Sequence, residues 1–193
     1  MVAPAEWVAA TMRTLDVAGH GVAAVGEDAA DAAYPVAQTL TATQSATTGY
    51  EAVGNVRILV EVLRRHGGIA PRALLGAEFI AGNGPSTLIE VGVASFGMLE
   101  SDDQPTCRSR LWNRPFVSGL PTELASAVLR GLTARPHIVL PPGVLRVDRA
   151  GFDVMNSSEK IFTQTAALLS LAISAKLRGD DPEPGLRAAI ESW

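Results

Sequence analysis

The chain has 193 residues, of which 47% are apolar and 19% charged, with a net charge of −4. That balance fits one domain, or two small halves sharing a core, and is too apolar for a disordered chain. A pI near 5.4 with no basic run longer than Arg64-Arg65 makes nucleic acid an unfavoured partner, and the lone Cys107 excludes an intrachain disulfide and a cysteine metal cluster.

The N-terminus has no basic stretch followed by a long apolar one, and no run of about 18 apolar residues occurs, so the expectation is a cytoplasmic protein without a signal peptide or membrane span. Ala, Val, Gly and Arg outnumber Lys and Ile, as in GC-rich bacterial sequences.

In chain order, Trp7, Val8, Met12 and Leu15 have helical spacing over Ala5 to Leu15, with Pro4 before and Gly19 after. His20 to Val25 reads as a short strand, closed by Gly26 and the acidic Glu27-Asp28. Asp31 to Leu40 is ambiguous, Ala-rich, broken by Pro35 and then Thr-rich and β-leaning. Thr47 to His66 reads as a helix, with Val53, Val56, Leu59, Val60 and Leu63 on one stripe and Arg57, Glu61 and Arg64 opposite. Gly67-Gly68 would stop it.

Arg72 to Ala81 and Thr87 to Leu99 read as strands, joined by a hairpin turn at Gly82-Asn83-Gly84-Pro85. After the polar loop Ser101 to Pro105, Cys107 to Val117 alternates and predicts a third strand. Thr122 to Leu132 reads as a helix capped by Thr122 after Pro121. Strand pieces follow at Ile138 to Leu140 and Val144 to Asp148. The longest helix runs from Glu159 to Arg178, capped by Asn156 or Ser157 and stopped by Gly179. Gly185 to Trp193 is a short terminal helix.

Two segments echo each other. Pairing Ala5–His20 with Thr122–His137 aligns Glu6 with Glu123, Arg13 with Arg130, Leu15 with Leu132 and His20 with His137. A second pairing aligns Ser45 with Ser157, Tyr50 with Phe162, Leu59 with Leu171 and Gly67 with Gly179. The organisation expected is therefore a partial first repeat over 1–70 (helix-strand-helix), a complete second repeat over 71–180 (three strands, helix, strand, helix) and a tail helix over 181–193. The fold class is α+β, a two-layer sandwich with helices on one face of a sheet.

The strand-helix order of the second half is similar to the second domain of ribosomal protein S5 and its relatives. Arg72 to about Leu186 resembles the fourth domain of elongation factor G: Gly82-Asn83-Gly84 before a long strand, Ser118 to Leu124 at a Pro-initiated helix, and Asp153 to Glu159 at the entry of the last helix. Glu51-Ala52-Val53-Gly54 resembles the first ligand helix of imidazoleglycerol-phosphate dehydratase. That dehydratase binds metal through paired His and Glu residues. Here the matching positions are Thr47, Thr48 and Glu51, and Ser157, Ser158 and Glu159, with no histidine. The resemblance implies an S5-like fold with an internal duplication and without metal-dependent dehydration. A GTP-binding loop is absent too, so translocase function does not transfer.

Three groups of residues are candidates for chemistry. Arg108, Arg110 and Arg114 with Trp112 would share one face of the third strand, able to clamp a carboxylate or phosphate against an indole wall. The alternative is a solvated face balanced by a neighbour such as Glu90. Asn156, Ser157, Ser158 and Glu159 open a helix, where free N–H groups and hydroxyls can hold an anion or simply cap the helix. Ser45, Thr47 and Thr48 are their first-half counterparts. His20 and His137, at matching strand entries, are candidate general bases or plain turn residues. Cys107 beside Arg108 reads as a packed thiol or an activated one.

The function expected is a metal-independent enzyme or binding protein for a small anionic metabolite, using no cofactor. The alternatives are a non-catalytic oligomeric scaffold and a ribosome- or RNA-associated module. The expected partners are a small anionic molecule and, because the sheet of the first half leaves an edge uncovered, further copies of the chain, with no membrane and with nucleic acid disfavoured.

Overall fold

The computed structural model describes residues 12–47, 54–64, 68–95, 104–134 and 139–193. Among these, nine strands form one mostly antiparallel sheet: β1 (Arg13–Val17), β2 (Gly21–Gly26), β3 (Val36–Ser45), β4 (Val56–Leu63), β5 (Arg72–Ala81), β6 (Ser86–Ala94), β7 (Thr106–Cys107), β8 (Phe116–Ser118) and β9 (Gly143–Phe152). Three helices join them, α1 (Thr122–Thr133), α2 (Glu159–Arg178) and α3 (Glu183–Glu191). The protein is thus α+β.

The main strands run in the order β1-β2-β4-β5-β9-β6-β3, with β8 also on β9 and β7 on β8. Only β6 and β9 pair in parallel. Strand β9 inserts between β5 and β6, antiparallel to the first and parallel to the second. Gly82–Pro85 is therefore not the tight hairpin expected. It arches over the start of β9, where the Gly82 amide donates to the Pro142 carbonyl at 3.0 Å.

Helices α1 and α2 cover one sheet face, α2 over β4 and β5 and α1 over β6 and β3. Ile58, Val60, Val62, Leu75, Phe79, Val91 and Val147 point into this core and meet Val128, Leu132, Phe162, Leu169 and Ile173. Gly131 lets the two helices touch: a Cβ there would lie 2.8 Å from the Ala166 Cβ and 3.0 Å from the Thr163 Cα. Gly179 ends α2 at φ +75°, the left-handed cap that glycine adopts without strain. Helix α3 packs on α2 and the β1 edge. All three helices lie where their periodicity placed them, although the cap position of α1 is Pro121, with Thr122 already helical.

The first half departs from expectation. Val56–Leu63 is a strand, not part of a helix, and Arg13–Val17 is a strand where a helix was to end. Residues 5–11, 48–53 and 65–66 of those two expected helices lie outside the described residues. In β4 the residues Val56, Ile58, Val60 and Val62 share one face, as do Arg57, Leu59 and Glu61. Both faces are covered, so the strand is almost continuously apolar and its Val and Leu positions match a helical stripe equally well. Leu59 and its counterpart Leu171 therefore fall in a strand and a helix, as do Leu15 and Leu132. The paired segments do not share a secondary structure over the described residues.

The expected third strand, Cys107 to Val117, is also corrected. Only its ends pair, as the short hairpin β7–β8. Arg108 to Pro115 leaves the ladder as a loop lying on the sheet face opposite α1 and α2, above Leu59, Leu74, Cys107 and Phe116.

Candidate functional site, an arginine loop held by two buried charges

Two charged side chains, Glu61 on β4 and Arg72 on β5, shape this loop. Both are almost fully buried, Glu61 at 0% and Arg72 at 1% exposure, and a charge so placed is costly unless every polar atom finds a partner. Glu61 meets that demand with loop donors. Its carboxylate accepts from the Ser109 hydroxyl (2.5 Å), the Arg110 amide (2.7 Å) and the Leu111 amide (3.2 Å). Ser109 Oγ in turn accepts from the Trp112 amide at 2.9 Å. Consecutive amides thus turn inward around one carboxylate, which takes them out of the β-ladder.

Arg72 holds the far side of the loop. Its Nη1 donates to the Arg114 carbonyl (2.7 Å) and its Nη2 to the Pro115 carbonyl (2.8 Å). Its Nε donates to Asp153 at 2.8 Å. The guanidinium also lies 4.8 Å from the Trp112 ring centroid and 4.2 Å from that of Phe116. Burial alone would raise the Asp153 carboxyl, but hydrogen bonds from the Met155 amide, Arg72 and Asn156 outweigh it and hold the group below the usual carboxylate range. The loop backbone is therefore pinned from Ser109 to Trp112 and again at Arg114 and Pro115.

On this frame Arg108, Arg110 and Arg114 are exposed, and together with Trp112 and Asn113 they line a surface concavity of about 560 Å³. Among the described residues, Arg13, Arg57, Arg72, Arg130, Arg146, Arg149, Lys176, Arg178 and Arg187 make ion pairs. None of the three loop arginines does. Glu90, the neutralising neighbour envisaged from the sequence, is bonded instead to Arg146 at 2.8 Å. Asp31 is the acidic residue lining the concavity, and its Oδ2 accepts from the Arg108 amide at 2.9 Å. Arg114 is 5.6 Å from the Trp112 centroid. The four residues expected to share a strand face are thus brought together by a loop.

The helix entry is used internally. Ser158 caps α2, accepting from the Ile161 amide at 3.4 Å. Ser157 Oγ donates to the Arg72 carbonyl (2.7 Å) and accepts from the Asp153 amide (2.9 Å). Asn156 donates from Nδ2 to Asp153 at 3.2 Å, and its carbonyl accepts from the Arg72 amide at 3.0 Å. Glu159 is paired with Arg130. Asn156 and Ser157 thus fix Arg72 and Asp153 and act on the loop at one remove, whereas Ser158 and Glu159 serve α2 and its contact with α1.

His20 stands in the β1–β2 turn, its amide bonded to the Val17 carbonyl at 3.0 Å, and does not line the arginine concavity. His137 lies outside the described residues, as do Thr48 and Glu51. Cys107 sits behind the loop at 2% exposure, and burial pushes its thiol up to about 11, so it is protonated at neutral pH. No group of three or more His, Cys, Asp and Glu able to hold a metal occurs among the described residues. No helix among them is long and apolar enough to cross a membrane.

Sequence reasoning missed Glu61 and Arg72. Their signal was present: one acidic residue inside the apolar run Val56–Leu63, and one arginine opening Arg72–Ala81. Read at a period of two, Glu61 shares its face with Arg57 and Leu59, and it is the loop over that face that buries it. No family model, curated protein or solved structure matches the chain.

Proposed function

We propose that the Arg108–Arg114 loop is a binding site for a small anionic metabolite carrying a phosphate or several carboxylates. The observation that supports this reading is a loop held from both sides that presents three guanidiniums with no carboxylate partner among the described residues, in a chain of net charge −4. Like charges gathered on one loop repel, and an anion between them removes that repulsion. Guanidinium forks suit the task, since each can give two parallel hydrogen bonds to a carboxylate or phosphate. Trp112 backs Arg114 and restricts where the ligand lies.

The loop's thiol and its hydroxyl are both turned inward: Cys107 is buried as the thiol, and Ser109 is buried with its hydroxyl bonded to Glu61. The reading is therefore one of recognition, and it calls on neither His20 nor His137. From Arg72 onward the element order is β5-β6-β7-β8-α1-β9-α2, with β7 and β8 as the two ends of the expected third strand, and this order alone supports an S5-like reading of the stretch.

The test is a titration with pyrophosphate and with citrate at low ionic strength, followed by thermal unfolding. Binding should be abolished by Arg110→Ala combined with Arg114→Ala in a protein that remains folded. An unchanged response in that double variant would move the site elsewhere.

A further inference from the structure

The two edges of the sheet are built differently. Strand β1 is short, carries Arg13 and Asp16, and is covered by α3, whose Arg187 donates to the Asp16 carbonyl at 3.1 Å. Arg13 pairs with Asp181 at 3.0 Å. Such charges and covers are the usual protection of an edge against pairing with another chain. Strand β3, at the opposite edge, is twice as long and has none of it. From Val36 to Ser45 it carries no charged residue and no proline. Among the described residues, nothing hydrogen-bonds to its outer side.

Its sequence has a second property. After an irregularity between Val36 and Gln38, the regular stretch reads Gln38, Thr39, Leu40, Thr41, Ala42, Thr43, Gln44. Read backwards the order is the same, except that Leu40 and Ala42 exchange places. Thr39, Thr41 and Thr43 lie on the sheet face away from the helices and are exposed, while Leu40, facing Val91, lies on the helix side.

We infer that β3 pairs antiparallel with β3 of a second copy, about a two-fold axis through Thr41. A two-fold axis sets residues equidistant from it face to face, so this near-palindrome pairs like with like along a strand that carries no charge to repel its copy. In that register Thr41 faces Thr41 and Thr39 faces Thr43, giving hydroxyl pairs of the kind that stabilise antiparallel sheets. Gln38 faces Gln44, and Leu40 faces Ala42, a large residue against a small one. The axis stands perpendicular to the sheet, so the helices of both copies stay on one side of a continuous sheet. Because β1 is protected, assembly stops at two. An unrelated peptide strand would gain the same backbone hydrogen bonds without these facing threonine and glutamine pairs.

The test reads both mass and register in the full chain. The native protein at high micromolar concentration should sediment as a dimer. Thr41→Lys places two ammonium groups face to face at the axis and should return the monomer mass, with an unchanged circular dichroism spectrum because Thr41 is exposed. Thr41→Cys should form a disulfide-linked dimer on mild oxidation, since facing Cα atoms lie about 4.5–5.5 Å apart. Thr39→Cys alone should not, its two copies being four residues out of register, roughly 13 Å along the strand. Mixing Thr39→Cys with Thr43→Cys should restore the link. A monomeric native protein would overturn the inference. So would a dimer that survives Thr41→Lys, or one whose cysteine variants link in any other pattern.

Discussion

Glutamine in place of Glu61 changes little in volume and removes one acceptor oxygen, which makes it a clean probe of the loop. The carboxylate serves three donors: Ser109 and Leu111 at one oxygen, Arg110 at the other. The introduced side-chain amide can place its carbonyl toward Ser109 and Leu111, but its NH₂ then faces the Arg110 N–H, donor against donor. One buried amide loses its partner and two charge-assisted bonds become ordinary ones. An orphaned buried donor costs about 1–3 kcal/mol, and the weaker bonds add to that. We expect a loss of about 2–4 kcal/mol in urea unfolding, with an unchanged dependence on urea. For a chain of this size that is a fall in Tm of roughly 5–15 °C. Anion affinity should fall with it, although no anion-contacting side chain has been touched. A loss below about 0.5 kcal/mol would refute the reasoning, because a carboxylate buried for the loop's sake cannot be replaced at that cost.

Other perturbations test the same account. Gly131→Ala pushes a methyl into Thr163 and Ala166 at the α1–α2 contact and should destabilise the protein by about 1–3 kcal/mol in the same assay. Asp153→Asn should destabilise at neutral pH by removing the carboxylate that Arg72 needs. Because the folded-state pKa of Asp153 is depressed, its contribution is full above the unfolded value of about 3.9 and disappears as pH falls through the folded value. The stability gap between the two proteins should therefore narrow in acid below that value; a gap that widens there contradicts the assignment. Cys107 should resist a thiol reagent at pH 8 in the native protein and react at once in denaturant, as burial and its raised pKa require.

The helices were legible because their signals are local. Glu159 to Arg178 has a cap, a long periodic stripe and a stopping glycine within one stretch of chain, and it folds over those residues. Of the first-half strands, β2 was legible, close to the expected His20 to Val25, but β1 and β4 were read as helix. In β4 an apolar run buried on both faces satisfies a helical period as readily as an extended one, and only its neighbours β2 and β5 decide between them. The same ambiguity bears on the paired segments, where Leu59 lies in a strand and Leu171 in a helix.

The candidate site divides in the same way. The residue types of Arg108, Arg110, Trp112 and Arg114 drew attention to the right segment, and they do line one concavity. Their geometry was misread because the partners that pull Ser109 to Pro115 out of the ladder, Glu61 and Arg72, lie far away in the chain. Asn156 to Glu159 showed the converse: a local anion-site signature whose hydroxyls and carboxylate are taken up by Asp153, Arg72, Ile161 and Arg130.

The most direct test of the central claim is calorimetric titration of pyrophosphate into the native protein and into a variant with Arg108, Arg110 and Arg114 all changed to alanine. The account predicts saturable binding to the native protein, weakened by added salt, and none to the variant. Binding of equal strength to both proteins, or to neither, would contradict it.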